Sequence, residues 1–267
     1  MQPLGEIDNA VCARVRFVLA DIDDTLTTDG VLTAQAYAAM ERLHDAGLVV
    51  VPITGRPAGW CDHIARMWPV DGVVGENGAF WFRYDRQARR LIKRFLASEK
   101  ARVANRERLH TLAERILSAV PGAALASDQL YREADIAIDY CEDVEPLAPA
   151  AVDHIVEIAQ AAGATAKVSS IHINVWFGDY DKLGMTRTLF AECFDVDLDA
   201  GREQFVFVGD SPNDAPMFDF FPIAVGVANV CDFEGRIAHA PAFVTAGRGG
   251  AGFAELASCL LAAGATG

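Results

Sequence analysis

Three apolar runs in the sequence are each followed at once by side chains that can bind a cation or a phosphate. The runs are VRFVLA, LVVVPI and QFVFV, and the residues behind them are Asp21, Asp23, Asp24 and Thr25, then Thr54, Gly55 and Arg56, then Gly209, Asp210, Ser211, Asn213 and Asp214. In an open α/β sheet the ligand site lies beyond the carboxyl ends of the strands, so at least four carboxylates are expected in one crevice. Like charges this close cannot all stay ionised without a counter-cation. The pattern therefore predicts a bound divalent ion, and Mg²⁺ is the one that best suits oxygen ligands and a substrate phosphate.

Alternating strand and helix patterns supply the framework for these residues. Helix-period segments follow the first two runs, at about 33–46 and from Pro57, and the alternation returns from Asp181 to about Ala262. DGVVG is predicted to be a third strand, and residues 78–95 a hairpin. This alternation predicts an α/β fold with a doubly wound, Rossmann-like parallel sheet and right-handed crossovers.

Between about residues 96 and 178 the pattern changes to that of an inserted module. Helices are predicted at about 98–120 and 146–162, with candidate strands at GAALAS, LYRE, DIAIDYC, TAKVS and IHINVWF. Strict alternation inside such strands is typical of an antiparallel sheet with one covered face. We therefore predict a core domain of residues 1–95 and 179–267 and an inserted α+β domain of residues 96–178.

Lys182 lies where the chain re-enters the predicted core. It is one of only four lysines in the chain. A carboxylate cluster, a hydroxyl group, a lysine and a divalent metal are together the components of phosphoryl transfer. The sequence thus predicts phosphoryl-transfer chemistry at the edge of the parallel sheet.

The ordered motifs resemble the haloacid dehalogenase superfamily of phosphatases over nearly the whole chain. The four motifs are DIDDTLT at Asp21–Thr27, ITG at Ile53–Gly55, Lys182, and GDSPND at Gly209–Asp214. The position of the insertion and the sequence ENGA at 76–79 are similar to the C2-capped, Cof-type branch (subfamily IIB). The short cap is closest in style to that of the sucrose-, trehalose- and mannosylglycerate-phosphate phosphatases. Asp24 stands where many members of this branch carry Gly, and the resemblance assigns it no role.

The resemblance implies a role for each matched residue. Asp21 is implied to be the nucleophile that forms an aspartyl-phosphate, and Asp23 the general acid and base. Thr54 is implied to hold the phosphoryl oxygens while Lys182 neutralises their charge, with Gly55 and Arg56 beside the substrate. The implied Mg²⁺ ligands are the side chain of Asp21, the carbonyl of Asp23, and Asp210, with Asp214 and Asn213 orienting the metal's waters or Lys182.

The strand IHINVWF of the inserted module has two different faces. Ile171, Ile173, Val175 and Phe177 are predicted to pack on the helices of the cap, and the opposite face carries His172, Asn174 and Trp176. The second set suits recognition of hydroxylated groups beneath the cap, so these three residues are candidate substrate-binding residues. An ordinary solvent-facing strand surface fits the same pattern.

The overall composition excludes several classes of protein. A formal net charge of −14 offers no basic field for nucleic acid, and no apolar stretch approaches the length of a membrane span. The beginning, MQPLGEIDNA, is acidic, unlike a signal peptide, so a soluble, cytoplasmic protein is expected. The six cysteines are widely spaced without a CxxC pair, which argues against a disulfide framework or a structural zinc site. The expected partner is a small phosphorylated molecule, without nucleic acid or membrane.

The favoured hypothesis is a Mg²⁺-dependent phosphomonoester hydrolase acting on a small phosphorylated metabolite, with a sugar phosphate preferred. A phosphotransferase such as a phosphomutase shares the aspartyl-phosphate but must exclude water, and a non-catalytic phosphometabolite-binding protein would keep the same fold. A receiver-type signalling domain also groups carboxylates, a Thr and a Lys. The inserted domain and the second acid at Asp23 count against the receiver domain.

Overall fold

The computed structural model describes residues 1–264, and residues 265–267 of the predicted core segment 179–267 lie outside the described residues. In chain order the strands are β1 (Gln2–Pro3), β2 (Phe17–Ala20), β3 (Thr27–Thr28), β4 (Val31–Leu32), β5 (Val49–Pro52), β6 (Val73–Gly75), β7 (Phe80–Asp85), β8 (Arg90–Phe95), β9 (Ala124–Leu125), β10 (Asp135–Asp139), β11 (Thr165–Val168), β12 (His172–Trp176), β13 (Phe205–Gly209), β14 (Ile223–Gly226) and β15 (Phe243–Val244). The α-helices are α1 (Asn9–Cys12), α2 (Ala34–Asp45), α3 (Ala58–Met67), α4 (Glu99–Ala119), α5 (Pro149–Ala161), α6 (Lys182–Phe194), α7 (Leu198–Gly201), α8 (Ala215–Phe220) and α9 (Gly249–Gly264).

The central sheet contains six parallel strands in the order β1-β15-β14-β13-β2-β5. Its register sets Val18 of β2 beside Val206 of β13 on one side and Val50 of β5 on the other. The strands are continuous apolar runs because helices cover both faces of the sheet. The predicted α/β class with a doubly wound parallel core is confirmed. The edge strand β1 was not predicted from the sequence.

Alternating residues of the central strands pack into separate apolar clusters on the two faces of this sheet. One cluster joins Val18, Val50 and Val206 to side chains of α2, α3 and α9. The other joins Leu19 and Phe207 to side chains of α6 and α8. Burial of apolar surface on both faces is the main favourable contribution to folding, and it leaves the carboxyl ends of the strands open to a ligand.

The predicted third strand, DGVVG, belongs to a different sheet. β6 pairs antiparallel with β7, and β7 pairs with β8, so that the predicted hairpin at 78–95 completes a three-stranded sheet. On its other edge β6 makes one parallel bridge, between Val74 and Ile53 at the end of β5. The expectation of a full parallel strand here is wrong, because β6 pairs along its length with the hairpin that follows it.

The inserted segment forms an antiparallel sheet of its own in the order β11-β12-β10-β9. Ile173, Val175 and Phe177 pack with side chains of α4 and α5 in a separate apolar cluster. Ile171, predicted for the same cluster, is only half-buried and lies outside it. We call this sheet and its two helices the cap; the boundaries predicted for it, 96 and 178, stay a prediction.

Two candidate strands of the cap differ from expectation. LYRE forms no strand, since Gln129–Tyr131 is a 3₁₀ turn, and GAALAS contributes only the two residues of β9. The Gln129 side chain explains the turn. Its amide nitrogen donates to the Asp135 carbonyl, and its amide oxygen accepts from the Ala137 N–H. A side chain therefore makes the backbone hydrogen bonds of β10 that a neighbouring strand was expected to make.

A buried carboxylate, Glu76, joins the cap to the core. Its oxygens accept hydrogen bonds from the N–H of Ala58 at the start of α3 and from the N–H groups of Glu133, Ala134 and Asp135 at the start of β10. Burial raises the pKa of Glu76 to about 8, although these N–H donors favour the carboxylate. One side chain therefore fixes where the cap chain meets the core.

A second contact between cap and core passes through Arg56. Its Nη2 atom lies 2.8 Å from Glu142 Oε1, and Glu142 Oε2 lies 2.8 Å from His172 Nε2. His172 and then Arg56 lower the pKa of Glu142 to about 2, although partial burial opposes this. The Glu142 carboxylate thus connects a cap strand to the loop after β5.

No helix among residues 1–264 has the length and apolar character needed to cross a membrane. The six cysteines are free thiols, and the Sγ atoms of Cys12 and Cys259 lie 3.6 Å apart, as a hydrogen-bonded pair of thiols without a disulfide. The cytoplasmic location stays a prediction.

Gly78→Ala is expected to lower the free energy of unfolding by about 2–5 kcal/mol. The loss has two causes, backbone strain at a positive φ and a steric clash of the added Cβ. Gly78 has a φ of +107°, and a Cβ there would lie 2.0 Å from the carbonyl oxygen of Asp181, immediately before α6. In the control, Gly163→Ala, φ is +75° but no atom lies within 4 Å of the added Cβ, so a loss of about 1 kcal/mol is expected. Urea unfolding measures both, and equal losses would show that the close approach to Asp181 is unimportant.

Glu142→Gln is expected to lower the free energy of unfolding at pH 7 by about 1 kcal/mol, a modest figure because solvent screens this partly exposed residue. The pKa of Glu142 in the fold, about 2, lies below the unfolded value. The ionised carboxylate therefore stabilises the protein at pH values above the unfolded pKa, and this stabilisation is lost as the pH falls toward 2. The difference between wild type and variant should therefore shrink between pH 5 and pH 2. Glu145→Gln, an exposed residue of the same loop, serves as the control. A difference that is independent of pH would contradict this account.

Candidate active site

The ammonium group of Lys182 lies between two carboxylates at the edge of the central sheet. Its Nζ atom is 2.7 Å from Asp21 Oδ1 and 2.7 Å from Asp214 Oδ1. Lys182 is the first residue of α6, and the Asp181 side chain caps this helix by accepting from the Gly184 N–H. Burial opposes the charged form, yet the two carboxylates raise the pKa of Lys182 above its usual value. The lysine is therefore a fixed, buried cation.

Three buried carboxylates surround this position. Oxygen atoms of Asp21, Asp210 and Asp214 all lie within 4.8 Å of one another. Burial, and then the neighbouring carboxylate of Asp214, outweigh Lys182 and raise the pKa of Asp21 to about 8. The pKa of Asp210 is raised well above its usual value for the same reasons. When all three are ionised, one ammonium leaves two negative charges uncompensated, and an all-oxygen donor set of this charge fits a hard divalent cation.

Asp210 is oriented by two neutral donors. The hydroxyl of Thr25 donates to its Oδ1 at 3.2 Å, and the amide of Asn229 donates to its Oδ2 at 3.3 Å. The same Asn229 amide nitrogen donates to the Asp24 carbonyl at 2.9 Å. Asn229 was not among the residues selected from the sequence, although it follows the end of β14 and the rule of strand carboxyl ends applies to this strand as well.

Asp23 points toward Arg56. Arg56 Nε donates to both Asp23 oxygens, at 2.9 and 3.1 Å. Arg56 is 4% exposed, lies before α3, and also contacts Asp128 and the ring face of Trp60. The carboxylate of Asp23 is therefore not part of the Asp21, Asp210 and Asp214 group, so any contribution of Asp23 to a metal rests on its carbonyl. Arg56 and Asp23 are brought together, and Arg56 is held by carboxylates from both cap and core.

The ITG motif lies directly under the cap. Thr54 is fully buried, and its hydroxyl oxygen accepts from the Arg56 N–H at 3.0 Å. A Cβ on Gly55 would lie 3.0 Å from Asn174 Oδ1 and 3.1 Å from Asn77 Nδ2, so glycine is what allows the cap to approach here. The motif is thus both a boundary of the site and a contact surface for the cap.

The three candidate residues of β12 are buried. His172 contacts Glu142, Asn174 Nδ2 donates to Asp135 Oδ2 at 3.1 Å, and the Trp176 ring stacks on Tyr180 with centroids 5.4 Å apart. The alternative of a solvent-facing strand surface is wrong, since each residue is at most 3% exposed. Their role in substrate binding stays a prediction.

Arg132 and its acidic partners form a buried network at the junction of cap and core. Arg132 pairs with Asp128 and Asp135, and its Nη1 atom donates to the Gly55 carbonyl at 2.9 Å. Neither periodicity nor a motif signals this contact, because Arg132 is positioned by the unexpected 3₁₀ turn that it directly follows. The network holds the backbone of the ITG motif from the cap side.

The backbone explains the unusual position of Asp24. Its φ is +55°, in the left-handed region where glycine carries no steric penalty and Asp is among the better tolerated residues. Gly is thus the natural residue here, and Asp24 meets the same backbone requirement. Burial raises the pKa of the Asp24 carboxyl, which lies near Ser170 of the cap.

Comparison with known proteins agrees with this geometry. Residues 18–107 match the model of the family described as haloacid dehalogenase-like hydrolases. Among curated proteins, none matches the chain significantly. Similar solved structures include a Thermoplasma acidophilum protein, at 20% identity, 92% coverage of this chain, 98% of that chain and a TM-score of 0.70. The sucrose-phosphatase of Synechocystis sp., solved with sucrose and phosphate, has 14% identity, coverages of 91% and 97%, and a TM-score of 0.63.

The C-terminal domain of C. albicans trehalose-6-phosphate phosphatase is similar over 98% of both chains, with 14% identity and a TM-score of 0.68. At these identities the structures establish the fold, including the cap, over nearly the full chain. The family match spans the strand before Asp21, the ITG motif and ENGA. The resemblance recognised from the sequence is thereby confirmed as a match to the haloacid dehalogenase-like hydrolases over residues 18–107, and the capped fold is confirmed over nearly the whole chain.

Proposed function

We propose that this protein is a Mg²⁺-dependent phosphomonoester hydrolase that acts through an aspartyl-phosphate on a small phosphorylated metabolite, with a sugar phosphate as the preferred class. The observation that carries the proposal is the position of Lys182 Nζ, 2.7 Å from both Asp21 and Asp214, beside Asp210. This arrangement supplies a nucleophile, a fixed positive charge and oxygen ligands at one point.

The reaction divides into two displacements at phosphorus. In the first, an Asp21 oxygen forms a bond to phosphorus while the bond to the ester oxygen breaks, and Asp23 gives its proton to the leaving oxygen. In the second, Asp23 takes a proton from water, whose oxygen bonds to phosphorus as the bond to Asp21 breaks. The products are an alcohol and inorganic phosphate.

Fixed groups of the chain stabilise the phosphoryl oxygens during both displacements. Lys182 supplies a buried positive charge that needs no reorganisation, and the hydroxyl of Thr54 supplies a donor at the neighbouring strand end. A divalent ion would be held by Asp21, Asp210 and Asp214, together with the Asp23 carbonyl, and when bound it neutralises charge on the phosphate oxygens.

The ion pair between Asp23 and Arg56 has a consequence for the first step. Asp23 must carry a proton in order to act as the acid, so the contact with Arg56 has to loosen when a substrate phosphate enters. The cap supplies Arg56 with other partners, Asp128 and Glu142, which remain available when Asp23 is released. Arg56 thus couples the acid to the position of the cap.

The preference for sugar phosphates is supported by related folds. The Synechocystis sp. structure is a sucrose-phosphatase and the C. albicans structure is a trehalose-6-phosphate phosphatase, and both share the cap and core arrangement. Fold resemblance alone does not determine substrate. A screen of phosphate release over sugar phosphates, phosphorylated acids and nucleotides, with phosphate released in step with substrate loss, tests hydrolysis against phosphotransfer.

Asp21→Asn is expected to lower phosphatase activity by at least about 10³-fold, because an amide cannot attack phosphorus. Without metal, its melting temperature should equal or exceed that of wild type. The pKa of Asp21 in the fold, about 8, lies above the unfolded value. The stability of the wild type therefore falls as the pH rises from the unfolded pKa toward 8, and the neutral amide avoids this loss. Asp29→Asn, an exposed neighbour, should keep full activity. More than a few per cent residual activity in Asp21→Asn would overturn the nucleophile assignment.

Mg²⁺ is expected to raise the melting temperature of the wild type in the absence of substrate. At 100-fold excess over its Kd, the bound ion should add about 2.7 kcal/mol to the free energy of unfolding. Asp210→Asn should lose most of this effect, whereas Asp153→Asn, exposed on α5, should keep it. Chelation should abolish hydrolysis and Mg²⁺ should restore it, while the larger and looser coordination shell of Ca²⁺ should not. Full activity in excess EDTA would refute the metal requirement.

A further inference from the structure

The positive charge of this acidic chain is concentrated in one segment, residues 83–108. The segment holds ten of the 23 lysine and arginine residues and only three acidic residues, Asp85, Glu99 and Glu107, so its formal charge is +7. The rest of the chain holds the other 13 basic and 34 acidic residues, a formal charge of −21. The segment therefore differs in sign of charge from the rest of the molecule.

Strand β8 lies within this segment and forms one edge of its sheet. The sheet order is β6-β7-β8, and among residues 1–264 the strand pairs with β7 alone. Arg90, Lys93 and Arg94 are exposed on it, and the hairpin loop before it adds the exposed Arg86 and Arg89. An edge strand presents a row of backbone N–H and C=O groups with which a further strand can pair.

The register of the hairpin determines which backbone groups of β8 point outward. The Leu96 N–H donates to the Ala79 carbonyl just beyond the paired strands, so alternate residues of β8, starting with Arg94, hydrogen-bond to β7. The N–H and C=O groups of Leu91 and Lys93 therefore point away from β7. In the part of the chain that the structure describes, no residue hydrogen-bonds to these four groups.

We propose that β8 is a docking edge for an extended acidic segment of another protein, which adds to the β6-β7-β8 sheet as a fourth strand. The backbone of the added segment hydrogen-bonds to Leu91 and Lys93, and its acidic side chains lie beside Arg90, Lys93 and Arg94. In this mode of recognition the main-chain hydrogen bonds supply affinity and the side chains supply specificity. The inference is independent of the proposed phosphatase function.

Charge argues against a second copy of this chain as the occupant. Two β8 edges paired with each other would bring the three cations of one copy beside the same three of the other, and like charges on opposed strands are destabilising. A single lysine is a common device that keeps edge strands from pairing with each other. Here the same charges that prevent self-pairing are complementary to an acidic strand.

The rest of the molecule argues against a broad polyanion at this edge. A nucleic-acid duplex or an anionic membrane extends well beyond one strand and would also meet the remainder of the chain, whose formal charge is −21. An added strand occupies only about 5 Å in the direction of the hydrogen bonds. The ligand that matches both the size and the charge of the edge is thus a single acidic strand.

The cations of β8 are available to such a strand because their present partners are weak. Lys93 lies 3.2 Å from Asp62, and Arg94 lies 3.3 Å from Glu192, with both pairs at the surface. Surface ion pairs contribute about 0–1 kcal/mol, so an incoming carboxylate replaces them at little cost. Arg90 forms no ion pair within residues 1–264 and needs no exchange.

The test uses the full chain and a rhodamine-labelled peptide, Val-Glu-Glu-Val-Val-Glu, added as an antiparallel strand. This order places its glutamates opposite Arg94, Lys93 and Arg90. Fluorescence anisotropy at low salt should show saturable binding with a Kd below about 1 mM. The same peptide with Lys in place of Glu should not bind, and absence of saturable binding by the glutamate peptide would overturn the proposal.

N-methylation of the peptide separates strand addition from attraction between charges. Methyl groups on its third and fifth residues remove the N–H donors that face the carbonyls of Lys93 and Leu91, and affinity should fall at least about tenfold. Methyl groups on the second and fourth residues, whose N–H groups face away from β8, should change affinity little. Equal losses for the two methylated peptides would contradict pairing along the edge.

Arg90→Glu combined with Lys93→Glu should weaken peptide binding at least about tenfold. The matched control is Arg14→Glu combined with Arg202→Glu, which makes the same change in net charge at exposed arginines outside the segment, and it should bind as the wild type does. Circular dichroism verifies that both variants are folded. Equal binding by the two variants, or tighter binding of a DNA duplex or of phosphatidylserine vesicles than of the peptide, would overturn the proposal.

Discussion

The buried ammonium of Lys182 among three carboxylates is the interaction on which the rest of this structure depends. Without it, Asp21, Asp210 and Asp214 would place three buried negative charges within 4.8 Å of one another. With it, two charges remain uncompensated, which suits a divalent cation and an incoming phosphate. Burial of apolar side chains on the two faces of the central sheet offsets the free-energy cost of burying this cluster. The uncompensated negative charge is what attracts a cation to the site.

The fold brings these groups together by simple geometric means. β2 and β13 are neighbours in a parallel sheet, so Asp21 and Asp210 leave the sheet at the same edge. Lys182 reaches them because the chain returns from the cap directly into α6, where Gly78 allows the Asp181 carbonyl to approach closely. The insertion of the cap at this point therefore supplies both the lysine and the cover over the site.

Several directional polar contacts connect the cap to the core. Glu76 accepts four backbone hydrogen bonds, Arg132 reaches the Gly55 carbonyl, and Arg56 is shared between Asp23 and Glu142. Such contacts depend on direction and charge, so a change in the charge of one partner alters the seating of the cap. Arg56 is the point where this seating meets the chemistry, because the same guanidinium holds the residue that has to donate a proton.

Much of the core and its site could be predicted from sequence because both obey local rules. A continuous apolar run indicates a parallel strand that is buried on both faces, and ligands bind at the carboxyl ends of such strands. Asp21, Thr54, Asp210 and Asp214 could therefore be selected from their spacing after these runs. Asn229 also follows the carboxyl end of a parallel strand, although it was not selected from the sequence. The 3₁₀ turn at Gln129–Tyr131 and the shared sheet of β6 could not be foreseen, since each depends on which neighbour satisfies the backbone.

The partners of Arg56 and the lining of the cavity beside Lys182 emerged only from the folded chain. Arg56 and Glu142 are 86 residues apart, and Asn77 and Tyr180 come to line one cavity only because of how the cap sits on the core. Periodicity reports which side of an element is apolar, but it carries no information on how two separately folded sheets are oriented. That orientation arises from the sum of many contacts across their junction, and it decides which polar groups face each other.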